Sequence, residues 1–154
     1  MIVAAILFSV FSLTVPKVTL ADLEHRFASG KDTTYVVNFW ATWCKPCVEE
    51  LPSFDMLARR ESGNPVVVLL VCLDAPSDLN AKVLPFLRKK AFACETVLFA
   101  EQKPHLWIDK VDPSWSGAIP ATLFVKNGKR LFREQEFTQR TLDSTFTTFR
   151  DHFR

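Results

Sequence analysis

Glycine is scarce in this chain: four in 154 residues, at positions 30, 63, 117 and 128. No two are spaced to form a GxGxxG or GxxxxGK loop, which excludes phosphate binding by either kind of backbone cradle. Excess charge is lacking too. Nineteen basic residues stand against 17 acidic ones, a formal +2 with the signs interleaved. A nucleic-acid or anionic-membrane partner needs a concentrated positive field, so no nucleic-acid partner is expected. Histidine is limited to His25, His105 and His152, scattered singly, and no second CxxC or HxxxH stands by to complete a four-ligand zinc set. Neither a metal nor any other cofactor is expected. Long apolar runs are absent as well. The longest, Met1 to Val15, has fifteen residues, and as a helix it would reach only ~22 Å against a hydrocarbon core of roughly 30 Å. No repeat, low-complexity tract or linker interrupts the chain.

What is present is a composition able to bury a full core, 48% apolar with 23% charged, at the size of one compact domain. Four cysteines, nine prolines and fourteen phenylalanines stand out. The opening segment, MIVAAILFSVFSLTV, has the length of the apolar middle of an export signal, without a basic leader or a clean A-x-A cleavage site. Its other reading is a buried first strand. On the first reading, residues 1–15 are a signal remnant or anchor and 16–154 are a single domain. Export to a periplasmic or cell-envelope space would place the cysteines where disulfides persist.

Past Pro16 the elements follow in a regular order. Thr19 with Asp22 three residues on is a capping-box pattern, and Leu20, Leu23 and Phe27 share one face of a short helix that Gly30 closes. TYVVNFW (34–40) is β-branched and aromatic, a strand. It runs straight into a helix whose Val48, Leu51, Phe54 and Leu57 recur at helical spacing, with a kink expected at Pro52. PVVVLLVCLD (65–74) has no polar alternation, the pattern of a strand covered on both faces. A helix follows with Leu79, Val83, Phe86 and Leu87 on one face, interrupted at Pro85. TVLFA (96–100) is a short strand, and 101–118 an irregular stretch with one helical turn. Asn127-Gly128 between two strand patterns predicts a hairpin. Leu142, Phe146, Phe149 and Phe153 predict a last amphipathic helix from about Thr138. Strands alternating with helices imply parallel crossovers, and the hairpin adds antiparallel strands. The expected fold is therefore α/β, with a mixed sheet covered by helices on both faces.

The chemistry lies in WCKPC, residues 43–47, where the buried strand becomes a helix. Cys44 would sit at the helix N-terminus, where free backbone N–H groups and the helix dipole stabilise a thiolate relative to a thiol. Lys45 adds a nearby positive charge. Pro46 removes a donor that the first turn would have left unpaired in any case. Two intervening residues let Cys47 reach back to Cys44, as a hydrogen-bond donor when reduced and as a disulfide partner when oxidised. A lone CxxC is also half of a zinc site, but the strand-CxxC-helix setting favours redox chemistry.

VVNFWATWCKPCVEELP closely resembles the active-site segment of the thioredoxin superfamily, in particular its exported TlpA/ResA-like branch of thiol-disulfide oxidoreductases. SGAIPATLFVKNGK resembles that superfamily's cis-proline strand and hairpin, and the likeness runs from about Leu20 to the C-terminus. The resemblance implies a thioredoxin-like fold, with Cys44 as nucleophile and Cys47 as resolving cysteine of one redox-active disulfide. Pro120 would be the cis residue, setting the Ile119 backbone beside Cys44 to pair with substrate. Where thioredoxin carries a buried Asp, this chain has Asn38; the TlpA/ResA-like branch carries a Glu three residues after the second cysteine, matched by Glu50, the candidate base for Cys47. Trp43 and Trp115 are expected on the apolar rim of the substrate groove, with Lys45 and Pro46 beside it, and Trp40 in the core. The implied partners are protein thiols and disulfides, and a membrane electron donor that feeds a reducing, monomeric enzyme. Members serving cytochrome maturation often carry Glu directly after the cis-proline, where this chain has Ala121, so that substrate is not implied. A peroxidase of the same fold would need Pro at 37 and Thr at 41, where Val37 and Ala41 stand. A redox-inactive binding or chaperone module is a third reading, which the intact Cys44 and Cys47 oppose.

Cys72 ends one buried strand and Cys94 precedes the next. They read as two inert buried thiols, or, given export and the even cysteine count, as a structural disulfide.

Overall fold

The computed structural model describes residues 13–153. The export-signal reading rests mainly on residues 1–12, which lie outside the described residues. Among the described residues, one six-stranded sheet carries the fold in the order β1-β4-β3-β2-β5-β6. Its strands are β1 (Lys17–Val18), β2 (Thr34–Trp40), β3 (Val66–Cys72), β4 (Glu95–Phe99), β5 (Ala121–Lys126) and β6 (Lys129–Arg133). β1, β4, β3 and β2 run parallel, β5 is antiparallel to β2, and β6 is antiparallel to β5, the mixed sheet expected from the sequence. The helices are α1 (Leu20–Ser29), α2 (Lys45–Arg60), α3 (Leu84–Lys90), α4 (Ile108–Val111) and α5 (Gln139–His152).

All seven residues of β2 are buried, because β3 and β5 flank it and helices cover both faces. Alternate residues therefore serve two cores. Val36, Trp40, Leu70, Cys72 and Phe124 pack with Leu51, Phe54 and Leu57 of α2 and with Leu142, Phe146 and Phe149 of α5. Tyr35, Val37, Phe39, Leu69, Val71 and Leu123 pack with Leu23 and Phe27 of α1 and with Trp107, Val111 and Trp115. Asn38 and Thr122 fall at positions of the first set, so two polar side chains face the α2 side.

The local signals act as their chemistry dictates. Thr19 and Thr138 cap α1 and α5 in reciprocal capping boxes. Asn127 (φ 48°) and Gly128 (φ 75°) take the positive dihedrals that a two-residue hairpin needs. α2 continues unbroken through Pro52. Before α3 the chain differs from a single helix: a 3₁₀ turn at Pro76–Asp78 and a π turn at Leu79–Val83 lead into it. The break lies before Pro85 rather than at it, since the proline ring has to be kept clear of the carbonyl of Ala81 one turn back. β1 escaped the sequence reading because two residues carry no periodicity; it is the edge strand, and its neighbour β4 holds it in place.

Cys72 and Cys94 are both free and buried. Cys72 is level with Leu98, whereas Cys94 precedes Glu95, which is level with Leu69. Four residues of offset at about 3.3 Å each separate them by ~13 Å, beyond the roughly 7 Å that a disulfide can span. The structural bridge is excluded by register. Burial pushes the Cys94 thiol up to about 12 and raises that of Cys72 further, so both are protonated and inert as nucleophiles.

Gly30 ends α1 with an ordinary negative φ of −84°, so backbone freedom does not explain it. Close approach does: a Cβ there would lie 1.9 Å from the Tyr35 hydroxyl, which itself donates to the carbonyl of Arg26 at 3.2 Å. Gly30→Ala should therefore destabilise the protein by about 1–3 kcal/mol through overpacking. Denaturant unfolding monitored by circular dichroism measures this, and an unchanged midpoint would refute the packing account.

Candidate active site

The site forms where β2 leaves the sheet. Trp40 is the last residue of the strand, and a turn closed by the Cys44 N–H on the Ala41 carbonyl (3.1 Å) brings the chain to α2. Cys44 is the N-cap of that helix: its sulfur accepts from the Cys47 N–H at 3.3 Å. The sulfur thus takes the place of the oxygen that usually satisfies an orphan amide at a helix start. Cys44 and Cys47 are joined as a disulfide, with Cα atoms 5.2 Å apart. Cys47 is completely buried and Cys44 only slightly exposed, so the outer sulfur is the one open to attack.

The Ile119–Pro120 peptide is cis, and the Ile119 carbonyl oxygen lies 3.8 Å from Cys44 Sγ. The disulfide carries no thiol hydrogen, so this is a contact that sets the Ile119 backbone against the sulfur. Trp43 projects into solvent, 68% exposed. Lys45 and Pro46 are also exposed; Lys45 pairs with Glu49 across 3.8 Å, an exposed contact of little energetic weight. Trp43 and Ile119 also line a groove of about 220 Å³ together with Leu73, Pro104, Trp107 and Ile108.

Trp115 is placed elsewhere than the groove rim. It is 4% exposed, its indole N–H donates to the Ala118 carbonyl at 2.8 Å, and its ring stacks among Phe39, Trp107 and Phe132. An aromatic cluster over the sheet buries the ring, and a loop carbonyl satisfies its single donor. Trp107 takes the wall position instead, with its indole N–H on the Glu101 carbonyl (3.1 Å). Nothing in the irregular 101–118 stretch distinguished one tryptophan from the other, because both pack on the same face of the sheet and only the folded loop sets Trp107 against the groove.

Glu50 lies one helical turn beyond Cys47 and is 1% exposed. Asn38 Nδ2 donates to its Oε1 at 2.7 Å, and the Phe137 backbone N–H donates to its Oε2, also at 2.7 Å. Asn38 further contacts Thr122 Oγ1 at 3.2 Å. Burial outweighs these two donors and pushes the Glu50 carboxyl up to about 7. Sequence reading singled out Asn38 and Glu50 separately; the Phe137 amide, 87 residues from Glu50, carried no signal at all.

A carboxyl held near 7 when folded and near 4.5 when unfolded binds its proton more readily in the folded state. Its contribution is therefore full below pH 4.5 and is lost as pH rises towards 7, a change of roughly 3 kcal/mol in stability. The oxidised protein should lose thermal stability across that window, and E50Q should lack this component of the slope. Parallel melting curves from pH 4 to 8 read it directly; superimposable slopes would rule out a perturbed Glu50.

Residues 4–131 match the AhpC/TSA family. The thiol-disulfide oxidoreductase ResA of Geobacillus thermodenitrificans is 36% identical over 121 residues, covering 75% of this chain and 64% of that protein. The chain thus spans a little under two thirds of that relative's length. Among solved structures, a DsbF homologue from Corynebacterium diphtheriae superposes with a TM-score of 0.64 at 19% identity, over 79% of this chain and 75% of that one. A thioredoxin-family thiol:disulfide interchange protein from Chlorobium tepidum gives 0.65 at 18%, over 79% and 82%. At such identities these two carry the fold alone, and the fold is thioredoxin-like. With the matched span taking in both the CxxC turn and the Ile119–Pro120 peptide, the chain belongs to the AhpC/TSA family, on a thioredoxin-like fold.

Proposed function

We propose that the protein is a thiol-disulfide oxidoreductase that reduces disulfides of exported proteins. The observation that carries this reading is the Cys44–Cys47 disulfide at the N-terminus of α2, its outer sulfur against the Ile119 carbonyl. In the reduced form, the Cys44 thiolate attacks one sulfur of a substrate disulfide; that bond breaks, a mixed disulfide forms and the substrate's other sulfur leaves as a thiolate and takes a proton. Cys47 then attacks Cys44 Sγ, releasing the second substrate sulfur and closing the disulfide. Glu50 receives the proton of Cys47. Its affinity for protons lies near neutral pH, which suits a general base, and it sits within one helical turn of that thiol.

The backbone at Ile119 and Pro120 pairs with an extended substrate segment, and Trp43 with Ile119 offers it an apolar wall. Lys45 and Pro46 border the same entrance. The substrates are protein disulfides, and a membrane electron donor re-reduces the pair in a periplasmic or cell-envelope space, with residues 1–15 as the export signal and the enzyme acting as a monomer. The ResA relative bears the name of this activity, which supports the reading. Among the described residues no helix is long and apolar enough to cross a membrane.

Insulin-disulfide turnover tests the assignment: Cys44→Ser should abolish it, and turnover persisting in that variant would overturn the role of Cys44. Direction is tested by the redox potential in glutathione buffers. The pair should equilibrate well below the about −120 mV of the strong oxidant DsbA, and a value near that figure would make the protein an oxidase instead.

A further inference from the structure

Asp74 is fully buried beside the site, yet the exchange chemistry makes no use of it. It stands two residues past the end of β3, at the carboxyl end of the parallel strands. Its Oδ2 accepts from the Thr42 backbone N–H at 2.7 Å and from Cys72 Sγ at 3.2 Å; its Oδ1 accepts from the Thr42 hydroxyl at 2.5 Å. Thr42 is the second residue of the turn that the Cys44 N–H closes on Ala41. Asp74 therefore grips the turn at one residue through two separate bonds, two positions before the nucleophile.

The other end of the grip is rigid. Cys72 is in register with Trp40, and the Leu73 N–H bonds the Trp40 carbonyl at 2.8 Å, so the chain leading to Asp74 remains tied to β2. The Cys72 thiol is protonated and buried, and supplies the third donor to the carboxylate, a use for a cysteine otherwise without one. A charge with no water around it is stable only where donors surround it, which these three provide.

We propose that Asp74 is a positioning residue for disulfide exchange: with Cys72 behind it, it clamps Thr42 so that the turn holds Cys44 Sγ against the Ile119 carbonyl. The inference rests on Cys44 being the nucleophile. Displacing a reacting group by about 1 Å can cost as much as a hundredfold in rate, so a turn held by two bonds at Thr42 is sensitive to either one.

Oxidised glutathione is a suitable probe, because it reads attack by Cys44 without needing the protein substrate. With the reduced full chain, Asp74→Ala should slow the exchange about tenfold and Thr42→Val about threefold. Asp74→Asn should stay within about twofold of wild type, since its amide can accept from the Thr42 N–H and Cys72 and donate to the Thr42 hydroxyl. Phe149→Ala, a core change on α5, should lower the melting temperature and leave the rate within about twofold, which separates positioning from loss of stability. A wild-type rate in Asp74→Ala, or Asp74→Asn as slow as Asp74→Ala, overturns the clamp. Should Asp74→Ala not fold, Thr42→Val decides: an unchanged rate refutes the proposal and a threefold loss supports it. A wild-type protein that does not exchange with glutathione removes the oxidoreductase reading and the clamp together, whereas normal wild-type exchange with indifferent variants removes only the clamp.

Discussion

The first turn of α2 has backbone N–H groups with no helical partner, and the fold satisfies one of them with sulfur. Because β2 is buried on both faces, the chain must leave the sheet within four residues and begin a helix immediately. At that corner the Cys47 amide meets Cys44 Sγ, where most helices would present a hydroxyl or carboxylate oxygen. The same constraint sets the exposure of the two sulfurs: the capping residue stays at the edge, and the residue three further on points inward. The burial of one sulfur and the exposure of the other both descend from this one helix start.

A second polar group sits where the packing would otherwise be apolar. Asn38, Thr122 and Glu50 occupy the seam between the sheet and α2, and the amide of Phe137, just ahead of α5, completes the carboxylate's partners. A carboxyl at 1% exposure costs the protein stability as pH rises, which an apolar residue there would not. Such a cost beside Cys47 is what the proposed base role of Glu50 would put to use, since a base that binds protons near neutral pH can take one from a thiol and return it. Asp74 differs in kind: donors from Thr42 and Cys72 enclose it, and it bonds the backbone of the turn.

Much of this was legible in one dimension because it rests on local rules. The alternation of strands and helices, the capping threonines, the Asn127-Gly128 hairpin and the WCKPC segment each depend on neighbours a few residues away. Cys44, Cys47 and Glu50 lie within two turns of a single helix, and the resemblance to the TlpA/ResA-like branch singled out Glu50 among its carboxylates. The failures are of another kind. Trp115 and Trp107 have similar surroundings in sequence and share one core, and only the path of the folded loop sets Trp107 and not Trp115 against the groove. The Cys72–Cys94 bridge looked reasonable by count and failed by strand register, which no composition encodes.

The sequence by itself determined the class of fold and the CxxC pair at a helix start, because helix starts, turn chemistry and side-chain period act over a handful of residues. Tertiary structure decided the rest: the Ile119 carbonyl against Cys44, the Phe137 amide on Glu50, the grip of Asp74 on Thr42 and the tryptophan that walls the groove. Each of these joins residues 32 to 87 positions apart or depends on how an irregular loop folds over the sheet. Such choices follow from which surfaces are buried against one another, a property of the packed chain that no short window of sequence contains.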